Sequence, residues 1–211
     1  SDPEIANFIS YRFLAVMLLA FPLGIYIKGK PLKPFFIAGT LGVPLVAITL
    51  ILAIEYMRND YLPILFVLWG FVFTLFQVSS LPYVMRNTAP ENQSHAISLN
   101  YATHSFGTIL SGIFIFLSGQ FIPAIDEGKI LLLISSFGFI GVYFLLKMDI
   151  DVVVPIKEEL QWKSYDWAVL IKAITPTLII AVGAGLTIPF INLFFFHNFQ
   201  IDSSGFAVIG G

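Results

Sequence analysis

Six stretches of this 211-residue chain contain no Asp, Glu, Lys or Arg: residues 13–27, 34–54, 61–85, 92–125, 130–146 and 173–201. Within them apolar residues neither alternate with polar ones nor confine themselves to one helical stripe. A helix crossing the hydrocarbon core of a bilayer needs about 20 such residues, and five of the stretches reach that range. The first is short, but Phe8, Ile9 and Tyr11 extend it if Arg12 snorkels to the interface. The fourth is longer than one span requires, and its opening "NQSH" reads as a loop. The pattern predicts six membrane-spanning helices. A soluble protein would need amphipathic helices to cover six such segments, and none is present. Barrel strands would alternate polar and apolar residues. A signal peptide would carry its lysines before the first apolar run, whereas here they follow it.

Composition strengthens this reading. Hydrophobic residues make up 57% of the chain and charged residues 11%, against about 25% charged in soluble proteins. Mean hydropathy is +0.88. A net charge of -2 gives no reason to expect a nucleic-acid partner. Cysteine is absent and the three histidines are far apart, so neither thiol chemistry nor a metal site is expected, and no cofactor is implied.

Charge also predicts orientation, because Lys and Arg collect in cytoplasmic loops. One set of loops holds Lys28, Lys30, Lys33, Arg86, Lys147, Lys157, Lys163 and Lys172; the other holds Arg12, Arg58 and Lys129. Eight against three places "IKGKPLKP" (27–34) in the cytoplasm and the start of the chain outside. A chain that begins outside without Met, and ends in the Ser-led apolar segment "SSGFAVIGG", reads as a fragment whose remaining helices are its nearest partners. The connection from Lys147 to Lys172 is the longest. Pro155, Glu158 and Glu159 suit the start of a short helix there, and Trp162 and Trp167 suit a membrane interface.

Polar residues are unevenly shared among the spans. The third carries Gln77, Ser79 and Ser80. The fourth carries Asn100, His104, Thr108 and Ser111 at i, i+4, i+8 and i+11, on one helical face. The sixth carries Asn192. Such groups need a partner helix or a watered cavity, so these three spans are expected to line something polar, with the second and fifth mainly outside it. Gln77 suits either a helix contact or a cavity. His104, ~10 residues (~15 Å) into its span, lies near the midplane and suits a cavity. Ser105, Gly112 and Gly119 recur every seven residues as a close-packing stripe. In the sixth span Pro176 and Pro189, with Gly183 and Gly185 between them, predict a kinked or locally unwound helix, a pointer to a transporter site. Charged residues are placed at membrane edges or in loops, which suggests a neutral or amphipathic solute, or coupling groups elsewhere.

No HExxH, GxSxG, phosphate loop or intramembrane carboxylate pair occurs. His104 with Ser105 or Ser111 would be the one conceivable nucleophile and base, and neither spacing brings the pair together on a helix. No enzyme activity is expected.

The layout resembles the major facilitator superfamily of secondary transporters, with the visible spans standing for its second to seventh helices. That family has two six-helix lobes joined by a long cytoplasmic loop. The resemblance implies most of an N-terminal lobe at 1–146, an inter-lobe linker at 147–172 and the start of a C-terminal lobe at 173–211. The family's loop between its second and third helices carries a glycine, an acid, a basic residue and then Gly-basic-basic. Here Gly29 and Lys30, with Lys33 beyond, match its later part, while Tyr26 and Pro22 stand where the acid and leading glycine would be. The fourth span lacks the Gly-Pro signature of many proton-drug antiporters. The resemblance implies an all-α multi-pass protein of a plasma (inner) membrane that moves a small solute by alternating access, with proton or sodium coupling both open. Gln77, Asn100, His104 and Asn192 would lie on or near the path. A membrane-embedded enzyme or a non-transporting receptor on a similar bundle is the alternative.

Overall fold

A computed structural model of the chain describes residues 2–121, 126–148, 166–201 and 206. The described residues are almost entirely helical and contain no strand. In order they form α1 (Asp2–Tyr26), α2 (Lys33–Glu55), α3 (Leu62–Asn87), α4 (Gln93–Phe121), α5 (Glu127–Phe137), α6 (Ile140–Lys147), α7 (Trp167–Thr187) and α8 (Ile191–Phe199), with single 3-10 turns at Asn59–Tyr61, Pro90–Asn92 and Ile188–Phe190. Six helices are long and apolar enough to cross a membrane: Glu4–Tyr26, Lys33–Glu55, Asn59–Asn87, Pro90–Phe121, Gly128–Lys147 and Trp167–Gly185. The chain is a multi-pass helical membrane protein. Large apolar side chains such as Met17, Phe21, Phe144 and Ile180 are exposed, which water would penalise and lipid tails accept.

The boundaries depart from expectation in four places. The first span begins at Glu4, four residues before Phe8, where the expected extension past Arg12 ends. Most of "NQSH" is the first turn of α4, not a loop. The fifth span is two helices. Gly138 and Phe139 close with i−3 bonds to Ser135 and Ser136, and a Cβ on Gly138 would stand 3.2 Å from the Pro44 ring. The break between α5 and α6 therefore lies against Pro44 of α2, with no room there for a side chain. The sixth span starts at Trp167, capped by Asp166, whose carboxylate accepts from Ala168 and Val169 N–H, so Lys172 lies inside α7. The 149–165 part of the long connection, with Pro155, Glu158, Glu159 and Trp162, is outside the described residues.

Packing centres on α3, which lies against α1 on one side and α2 on another. Gly70 makes the first contact possible. A Cβ there would strike the Arg12 carbonyl and come within 2.8 Å of the Ala15 Cβ. Gly39 does the same for α2, where a Cβ would sit 2.9 Å from Phe76. α2 also packs on α5 and α6, so the second span is central in the bundle.

One end of the bundle is knotted by the 27–33 loop. Gly29 turns the chain with φ 70°, in the left-handed region that a side chain would resist. Leu32 is fully buried among Ile27, Phe36 and Leu145. Lys30 Nζ lies 3.1 Å from the centre of the Tyr26 ring. Lys33 Nζ donates to the Met148 and Leu146 carbonyls at 2.5 and 3.3 Å, and Arg86 donates to the Lys30 carbonyl at 2.8 Å. These two cations tie the loop to the ends of α6 and α3.

Candidate functional site

Helical spacing places Trp69, Phe73, Gln77 and Ser80 along one face of α3, at i, i+4, i+8 and i+11. Asn100, His104, Thr108 and Ser111 share a face of α4 with the same spacing. A hydrogen bond joins the two faces: Ser80 Oγ donates to Asn100 Oδ1 at 3.2 Å. The helices are antiparallel and rise equally per residue. Counting outward from that bond, His104 falls within one residue of the level of Gln77 and Thr108 within one of Phe73, while Ser111 falls level with Trp69.

These levels do not close into contacts. A second bond between α3 and α4, from Gln93 Nε2 to the Met85 carbonyl at 3.2 Å, lies at the same end of the pair. Farther along, residues 101 to 110 of α4 are all exposed. The two polar faces are pinned near the knotted end and part as they leave it. Gln77 and His104 are both exposed along this groove, and the Thr108 hydroxyl donates to the His104 carbonyl at 3.1 Å. Ser79, a third polar residue of this span, is fully buried on another side of α3 and donates to the Leu75 carbonyl at 2.7 Å. Thr74 is likewise satisfied within its own helix, at the Gly70 carbonyl.

Arg12 is the group the sequence misplaces. It does not snorkel. The guanidinium carbon lies 4.2 Å from the Trp69 ring centre, 5.0 Å from Phe73 and 5.6 Å from Phe13. Trp69 adjoins Gly70, which touches the Arg12 backbone, and Arg12 is eight residues (~12 Å) into the Glu4–Tyr26 span. A charged residue therefore lies within the membrane segment, not only at its edges. A midplane cation costs about 2.5–3.5 kcal/mol on insertion scales, and stacking on a desolvated ring returns about 2. Nε is buried and makes no hydrogen bond, a further loss on the order of 1–3 kcal/mol. The rings cushion the cation without neutralising it. One signal for the site is present in the sequence: Arg12 is basic and sits between apolar Phe8, Ile9 and the first uncharged run. The other, the Trp69–Phe73–Gln77–Ser80 spacing, is legible only once α3 is known to face it.

The remaining candidates are scattered. Asn192 lies in α8, and its side chain is outside the described residues. Pro176 sits inside a continuous α7, while Gly183 and Gly185 have open space where a Cβ would be. Pro189 occupies the 3-10 turn that separates α7 from α8. Of the small-residue stripe on α4, Gly112 is buried and Ser105 and Gly119 are exposed. Gly29, Lys30 and Lys33 belong to the knotted end and lie apart from the groove. Among the described residues no cluster of His, Asp or Glu is arranged to hold a metal ion. No family model matches the chain, and no curated protein or solved structure matches it either.

Proposed function

We propose that this chain is part of a secondary transporter resembling the major facilitator superfamily, with the α3–α4 groove on its solute path and the knotted, lysine-rich end in the cytoplasm. The observation that carries the reading is the divergence of two polar faces, one on α3 and one on α4, from the Ser80–Asn100 tie. Lipid-facing helices do not carry Asn, His and Gln in register, because each would lose hydrogen bonds to water. A groove that widens away from its tie suits a gated path through a bundle that rocks about a fixed site. Residues 147–172 then connect two lobes, and coupling to protons or sodium ions fits equally.

This chain has no cysteine of its own, so the test is direct once any cysteine elsewhere in the protein is replaced by serine. In the full-length protein, H104C and T108C are each exposed to a membrane-impermeant thiol reagent from either side. Both should react, at rates that change when a transported solute is added. Inertness from both sides would place this face of α4 in lipid and end the reading. H104A should lower uptake without lowering expression.

A further inference from the structure

The groove begins beside a cation that meets no anion among the described residues. Glu4, Glu55, Asp60, Glu91 and Asp126 stand at helix ends or in turns, none of them at the depth of Arg12. Its guanidinium covers Trp69 and Phe73, the first two positions of the α3 face that continues through Gln77 to Ser80. Its Nε–H is buried without an acceptor. The residue as a whole is only half-buried, and its two terminal nitrogens are not among the buried atoms that lack a partner, so an arriving group would meet the guanidinium there.

We infer that Arg12, Trp69 and Phe73 form a binding site for the carboxylate of a small, partly apolar monoanion, and that the solute of the proposed path belongs to this class. A guanidinium offers paired N–H donors that match a carboxylate, and the rings beside it favour an alkyl or aromatic body over a hydrated one. A dianionic phosphate fits less well. Desolvation scales with the square of charge, so it would lose about four times as much on entry and meet one cation only. The solute assignment rests on the transporter reading; the anion site does not.

The test reads binding without transport. The full-length protein carrying W162F and W167F, reconstituted in phosphatidylcholine nanodiscs, leaves Trp69 as this chain's one tryptophan reporter. Iodide should quench its fluorescence along a saturating curve, whereas neutral acrylamide should quench it linearly. Butyrate should relieve the iodide quenching and butyramide should not. R12Q should raise the iodide half-saturation by roughly tenfold or more, the size of one charge-assisted pair. R12K, which keeps the charge, should retain part of the effect. Linear iodide quenching in the protein with Arg12 intact would overturn the site, whatever the variants do. Saturable quenching relieved by added phosphatidylglycerol but not by butyrate would assign it to lipid and overturn the carboxylate. If the site binds butyrate while the H104C and T108C proteins resist the thiol reagent, the transport reading alone fails.

Discussion

Met57 has φ 51°, a left-handed conformation that costs a side-chain-bearing residue roughly 1–2 kcal/mol. It ends α2 in a glycine's usual place. Arg58 N–H reaches back to the Ala53 carbonyl at 2.8 Å and Met57 N–H to Ile54 at 3.1 Å, the paired closure that normally ends on Gly. The Met57 side chain is 84% exposed and so contributes little packing. M57G should therefore raise stability by about 1 kcal/mol, visible as a higher Tm in detergent; a lower Tm would mean that the side chain is anchored. Gly70 predicts the opposite sign. Because its missing Cβ is what lets α1 touch α3, G70A should cost about 1–3 kcal/mol through overpacking. The same variant should displace Arg12 from Trp69, shifting the tryptophan emission maximum. An unshifted spectrum would dissociate the two effects.

At the scale of elements, the spans were legible because bilayer thickness fixes the length of an uncharged run, whatever lies around it. The interruptions were not. Ser135, Ser136 and Gly138 look like any small-residue stretch of a membrane helix, and the break there packs against Pro44, more than ninety residues earlier in the chain. Arg12 failed for the same reason, since snorkelling and stacking differ only in what Trp69 and Phe73 offer across the interface. Ser79 shows how composition differs from placement: at 100° per residue, 77 and 79 point nearly opposite ways. The knot at residues 27–33 supplies an element-scale prediction. K33M removes a charged donor from the end of α6, a loss on the order of 1.5–3 kcal/mol. Amide exchange in the last turn of α6 should quicken while that of α1 near Ala15 stays slow. Equal change in both would make Lys33 a global stabiliser, not a local tie.

For the whole molecule, burial is concentrated where α3 meets α1 and α2, and α4 is exposed on every side over 101–110, between its pinned end and buried Gly112. Orientation has its own test in the cysteine-free background. G29C should react with impermeant reagent from the cytoplasmic side only and N59C from the outside only, and the reverse pattern would invert the proposed topology. The polar face of α4 was readable from spacing alone. Its separation from α3 was not, because periodicity says which residues share a face and nothing about how far the next helix stands from it.

The Lys33 and Arg86 ties end on backbone carbonyls, at Leu146 and Met148 and at Lys30. Every amino acid supplies that acceptor. Positions 30, 146 and 148 are therefore free to drift in sequence without loosening either tie. Insertion or deletion of one residue nearby would break it at once. Among relatives, this joint would show as invariant loop and helix length around two retained cations, with no paired substitutions, and a search for co-varying residues would pass over it.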